Sequence, residues 1–215
     1  MKRLALVIRV VFISAFSLGA LAENEITFRN LKWFSTNQEV DRALLADGAK
    51  RSFHREPFAT LRMARDSQGI LSINSFDNYG FRDFYEGIKV AGYAVDALMT
   101  CYLFTIKDDQ ILKDEDLAEF YLGMYSLTLP DSSTKQEVFD DLTLKLSYVY
   151  GEYSTIDSPQ FFGENSQARI WSDSKDNLII LSFPDTTAML LYYAGDASSH
   201  IDNLLYHSPD SLEGL

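Results

Sequence analysis

A series of strand-length apolar runs, each closed by turn residues, most constrains what this chain can become. Gly87–Val95 (GIKVAGYAV) alternates between apolar and polar positions, and Leu98–Ile106 (LMTCYLFTI) is almost wholly apolar. The second pattern is that of a central strand buried on both faces. Leu117–Leu129 (LAEFYLGMYSLTL) is long, aromatic-rich and stopped by Pro130, which a central ladder does not tolerate. Ala168–Ser172, Asn177–Phe183 and Thr187–Tyr193 follow in quick succession. Asp173-Ser174-Lys175-Asp176 and Pro184-Asp185-Thr186 separate them, and both are hairpin chemistry. Earlier in the chain, Ile70–Asn74 reads as a strand after the turn Asp66–Gly69. Strands joined by short turns pair antiparallel.

Two near-identical stretches punctuate these runs, STNQEV at Ser35–Val40 ahead of all of them and STKQEV at Ser133–Val138 ahead of the last three. In each, a threonine is followed three residues later by a glutamate, which is the pattern of a capping box at a helix N-terminus. Val40, Ala43 and Leu44 then share one helical face up to Gly48, a helix stop. Val138, Leu142, Leu146 and Val149 form a longer stripe that ends at Tyr150-Gly151. Helix then strands, followed by helix then three strands, predicts an α+β fold with antiparallel sheet and the helices packed on one face. The expected organisation is an N-terminal helix-plus-sheet unit over 23–130 and a C-terminal helix-plus-three-strand unit over 131–195. A tail over 196–215 would be frayed or form a short docking helix. The two units are either a duplication or a convergence on the same capping rule.

The first 22 residues, MKRLALVIRVVFISAFSLGALA, have a basic start, an apolar run and an Ala-Leu-Ala ending. That is a secretory signal peptide, too short in its apolar part to span a bilayer. The expected mature chain begins near Glu23, is periplasmic or secreted, and has no stable membrane anchor after cleavage. Losing Lys2, Arg3 and Arg9 takes the net charge from −12 to −15. Such an acidic surface repels phosphate backbones, so nucleic acid is not an expected partner. The single cysteine, Cys101, lies in an apolar run and reads as a buried, inert thiol.

The phrases ITFRNLKWFSTNQEVDRAL, FDDLTLKLSYVYGEY, RIWSDSKDNLIILSF and TAMLLYY resemble uncharacterised small exported bacterial proteins with a helix-plus-three-strand unit. The pattern is also loosely similar to outer-membrane-assembly lipoproteins and to tandem-repeat inhibitor proteins that bind β-lactamases. The lipobox cysteine of the lipoproteins is missing here. The resemblance implies a fold and a protein-binding habit, and it assigns no catalytic residue.

No GxSxG, P-loop, HExxH, GxGxxG or Cys-x-x-Cys pattern occurs. His54, His200 and His207 are the three histidines, and they read as surface residues rather than ligands. Asp108, Asp109, Asp114, Glu115, Asp116 and Glu119 lack the internal glycine of a calcium loop and read as a solvated hairpin tip. No cofactor and no metal is expected. The most conspicuous candidate is Phe76–Glu86 (FDNYGFRDFYE), read as an aromatic loop. Within it Tyr79, Phe81, Arg82, Phe84 and Tyr85 are candidate partner-binding residues, because tyrosine and phenylalanine supply contact area at low entropic cost. The same aromatics would equally cover the open end of a sheet. Trp33 and Trp171 are expected in the core. The function expected from these features is a non-catalytic protein-binding or envelope-interaction module, with another protein as partner. Two other readings stay open: an envelope-polymer hydrolase using a carboxylate pair, and a small-molecule carrier with an apolar pocket.

Overall fold

The computed structural model describes residues 24–52, 55–65, 71–129, 132–157, 167–183 and 187–208. It is an antiparallel, sheet-rich fold with three helices among the described residues. The helices are α1 (Asn37–Ala46), α2 (Ser132–Tyr150) and α3 (Ala197–Tyr206). In the first half the strands are β1 (Lys50–Arg51), β2 (Glu56–Pro57), β3 (Thr60–Arg65), β4 (Leu71–Phe76) and β5 (Gly80–Glu86). Then come β6 (Lys89–Val90), β7 (Tyr93–Ala94), β8 (Ala97–Leu103), β9 (Thr105–Lys107), β10 (Gln110–Leu112) and β11 (Glu119–Thr128). The second half adds β12 (Ser154–Asp157), β13 (Gln167–Ser172), β14 (Leu178–Ser182) and β15 (Thr187–Tyr193).

A nine-stranded sheet runs in the order β1-β5-β8-β11-β15-β14-β13-β12, with β2 also paired to β5. The order reads inward along the chain on both sides, so the last strand of each half meets the other at the centre. That joint, β11 against β15, holds register from Leu122 opposite Tyr193 to Thr128 opposite Thr187. Among the described residues, three antiparallel two-stranded pairs, β3–β4, β6–β7 and β9–β10, stand off the main sheet.

Each face of the sheet has its own core. On one, Val40 and Leu44 of α1 and Val138, Leu142 and Leu146 of α2 pack with Tyr85, Tyr102, Phe120, Trp171, Leu181 and Leu190. On the other, Ala197, Ile201 and Leu204 of α3, with Leu61 and Met63 of β3, pack on Cys101, Leu122, Ile170, Ile180 and Leu191. The expectation that all helices share one face is therefore corrected. The apolar island Ile201–Tyr206 closes the second face, and the tail up to Tyr206 is a docked helix.

Other elements depart from the sequence reading for identifiable reasons. Gly87–Val95 is not one strand but the tight hairpin β6–β7, because Ala91 and Gly92 both take positive φ (50° and 96°), the geometry of a hairpin turn. Leu98–Ile106 splits at Phe104, whose N–H donates to the Tyr79 carbonyl rather than to a ladder partner. Its first part, β8, is buried on both faces from Leu98 to Leu103, as its unbroken apolar run requires. Thr36 caps α1 with the full reciprocal box to Glu39. The second copy behaves differently. Helix α2 begins at Ser132, so Thr134 lies inside it and is not its cap. Val149 is more exposed than its place on the stripe predicts.

The N-terminal segment locks the two halves together. Phe28 sits within 5.3–5.6 Å of the rings of Phe120, Tyr125 and Tyr192, on both strands of the joint. Gly123 makes room for it, since a Cβ there would lie 2.5 Å from the Phe28 ring. Ile26 N–H donates to the buried Asp173 carboxylate, which also accepts from the Lys175 and Asn177 N–H groups in the β13–β14 turn. Cys101 is buried, and burial pushes its thiol pKa up, which keeps it in the unreactive protonated form. No helix among the described residues is long and apolar enough to cross a membrane.

Candidate functional site

The stretch read as an aromatic loop is a strand for most of its length. Gly80–Glu86 is β5, paired with β8 from Gly80 opposite Leu103 to Tyr85 opposite Leu98. A strand sends alternate side chains to opposite faces. Phe81, Asp83 and Tyr85 accordingly point to the face carrying α1, while Arg82 and Phe84 point to the face carrying β3–β4. The five candidate residues thus do not form one surface. Phe81 and Tyr85 are buried in the core, and Tyr79, Arg82 and Phe84 are half-buried. Arg82 lies 4.9 Å from the rings of both Phe58 and Phe84 and pairs with Glu56 at 3.0 Å. Tyr79 lines an open groove of about 490 Å³ together with Asp109, Ile111, Lys113 and His207.

The sequence missed β5 because of Asp83, an acid in the middle of an otherwise aromatic inward face. Its carboxylate is completely buried. An ion so placed survives only when its partners replace water. Asn37, at the start of α1, donates to it at 2.8 Å, and Arg51 and Arg55 each reach it at 3.3 Å. Arg55 also donates to Asn37 Oδ1 and to Glu115, and its guanidinium covers the Phe81 ring at 4.4 Å. Burial opposes the charge on Arg55, but the hydrogen bonds to Asp83 and Glu115 outweigh it and raise its pKa. Tyr85 is pushed up to about 12, chiefly by burial, and donates to Asp41 at 3.0 Å. The cluster anchors α1 and the outer strands to β5. Asp41 and Asp83 meet on Arg51, and Asp83 and Glu115 meet on Arg55. A guanidinium, not open space, lies between each of these carboxylate couples.

The histidines and the acidic stretch disperse to separate contacts. His200 on α3 stacks on Phe34 at 4.3 Å and pairs with Glu119 at 3.5 Å; that hydrogen bond, against the effect of burial, raises its pKa. His207 faces Asp109 at 3.7 Å, and His54 lies outside the described residues. Asp108 and Asp109 form the turn between β9 and β10, with φ of 52° and 59°. No group of three or more His, Cys, Asp or Glu among the described residues is placed to hold a metal ion.

Two large exposed apolar side chains that share one helix face lie elsewhere, on α2, whereas Tyr206, 78% exposed, is a single such side chain at the end of α3. The buried side of α2, Val138, Leu142 and Leu146, fixes the helix to the sheet, and Arg169 of β13 grips its flank through Thr143 and Asp140. Leu144 and Tyr148, four residues apart and so neighbours on one helix face, point away from that core and are 71% and 90% exposed. The sequence reading passed over them because it followed the buried stripe. The available signal was two large apolar residues at i and i+4, opposite Val138, Leu142 and Leu146.

No family model, curated protein or solved structure matches this chain.

Proposed function

We propose that the protein is an exported, non-catalytic protein-binding module that meets its partner through the outer face of α2. The observation carrying this reading is the exposure of Leu144 and Tyr148 on a helix held rigidly by its opposite face. Exposed apolar side chains grouped on an ordered element favour contact with another macromolecule, because covering them removes apolar area from water. A tyrosine presented from a fixed helix loses little freedom on binding and keeps a polar tip for a hydrogen bond. The aromatics of β5 offer less, since Phe81 and Tyr85 have little surface left to give.

Two further parts belong to the same proposal. The chain is built as two helix-plus-sheet units, a reading supported by the mirrored strand order and by the helix that precedes each strand set. Export rests on the basic start, apolar run and Ala-Leu-Ala ending of residues 1–22, and sequencing the mature N-terminus tests it: Glu23 is expected first.

The binding surface is tested by placing a photo-crosslinking side chain at position 148, and separately at Leu117, an exposed leucine outside the helices. Discrete adducts are expected from 148 and none from 117. Equal behaviour at the two positions would remove α2 from the account.

A further inference from the structure

The charges around the exposed pair bear on what it meets. On a helix wheel, Glu137 lies on the same solvent pole as Leu144 and Tyr148, seven and eleven residues before them. Glu152 stands just beyond the end of the helix. Both glutamates are exposed, and neither makes an ion pair among the described residues. Asp140, 57% exposed, adds a third carboxylate at the flank, paired with Arg169 at 3.4 Å and accepting a hydrogen bond from Gln136 at 2.9 Å. The single lysine near the pair, Lys145, is already engaged by Asp141 at 2.6 Å and by the Ala91 carbonyl. Among the described residues, the apolar pair is therefore bracketed by carboxylates, and the lysine beside it is already paired. The chain as a whole carries −12.

We infer that the outer face of α2 takes a cationic amphipathic segment, a helix of another protein with lysine or arginine flanking an apolar stripe. The inference rests on the proposed use of this face for binding and adds the chemistry of the partner. An apolar stripe on the partner covers Leu144 and Tyr148. Its basic flanks meet Glu137, Asp140 and Glu152, which steers the encounter and fixes the direction of docking. A second copy of this chain is a poor occupant, because it would set the same carboxylates against each other. The face is convex, so a partner helix would lie alongside α2 and interlock by side-chain ridges rather than sink into a groove.

The test uses two synthetic helical peptides with the same leucine stripe, one with lysine and one with glutamate on the polar face. Their binding to the mature protein is measured at low and high salt. The lysine peptide is expected to bind at least about 10-fold tighter than the glutamate peptide and to weaken as salt rises. Leu144→Ala/Tyr148→Ala is expected to weaken it about 10-fold or more, and Glu137→Lys/Glu152→Lys by a similar factor. These positions are exposed, so circular dichroism should show the variants folded. If both peptides bind equally and both depend on Leu144 and Tyr148, the surface survives and the cationic partner is wrong. If binding ignores Leu144 and Tyr148, or only the glutamate peptide binds, the inference fails; in the first case the use of α2 fails with it. A dimer in sedimentation that the Leu144→Ala/Tyr148→Ala variant abolishes would make a second copy the occupant and overturn the inference.

Discussion

Both halves of the sheet tie their helix to the second strand from the edge through a polar side chain, with opposite charge and different burial. In the first half the sheet contributes Asp83, fully buried on β5, and the cations Arg51 and Arg55 come to it from the edge. In the second half the sheet contributes Arg169, about a fifth exposed on β13, and α2 supplies Thr143 and the more exposed Asp140. Arg169 is held as much by rings as by charge, with Phe139 at 4.1 Å and Tyr153 at 5.0 Å. The first half thus commits its polar groups to internal anchoring around a short helix. The second half fixes a longer helix mainly by apolar packing and leaves Leu144 and Tyr148 exposed on its outer side.

The comparison breaks most sharply at the two polar anchors. Removing both Arg51 and Arg55 by alanine substitution strands a buried carboxylate and should cost about 3–5 kcal/mol in chemical denaturation. Asp140→Ala, at the matching place in the second half, should cost only about 0–1 kcal/mol, because its pair is exposed. Similar losses at both sites would show that the two anchors are equivalent after all. At the joint between the halves, Gly123→Ala forces a methyl against the Phe28 ring and should cost about 1–3 kcal/mol, read as a lowered unfolding midpoint.

The two ST-x-QEV copies give a smaller contrast. Thr36→Ala removes a working cap and should destabilise by about 1 kcal/mol. Thr134→Ala falls inside α2, where alanine is the better helix former, so stability should stay level or rise by a few tenths of a kcal/mol. A matched loss at both would restore the second cap. The smallest effect concerns pH. His200 has its pKa raised above the ordinary 6.5 by Glu119. The pair's contribution to stability is complete below 6.5 and fades as pH rises through the higher folded value. The pair is partly exposed, so the difference between wild type and His200→Gln across that window should stay under about 1 kcal/mol.

What the sequence made legible follows from which forces are local. The cap at Thr36, the buried run of β8, the Asp108-Asp109 turn and the buried stripe of α2 all depend on neighbours in the chain, and they could be read directly. β5 could not be read, because Asp83 breaks its alternation and its burial depends on Asn37, Arg51 and Arg55, brought in from other elements. The split of Leu98–Ile106 was hidden for the same reason: the N–H of Phe104 finds its acceptor on Tyr79. The exposed pair on α2 was visible in the helical spacing, but only once the buried face had been subtracted.

The claim that the outer face of α2 is the working surface has a direct test in thiol protection. Cys101 is buried and its thiol stays protonated, so a cysteine placed by substitution is the reactive one. Single variants Leu144→Cys, Tyr148→Cys, Leu117→Cys and Tyr206→Cys are labelled with a maleimide, first as purified protein and then in the cells that make it. The account predicts that positions 144 and 148 label several-fold more slowly in the cells while 117 and 206 are unchanged, since only a covered thiol is shielded. Equal labelling at all four positions in both settings would contradict it.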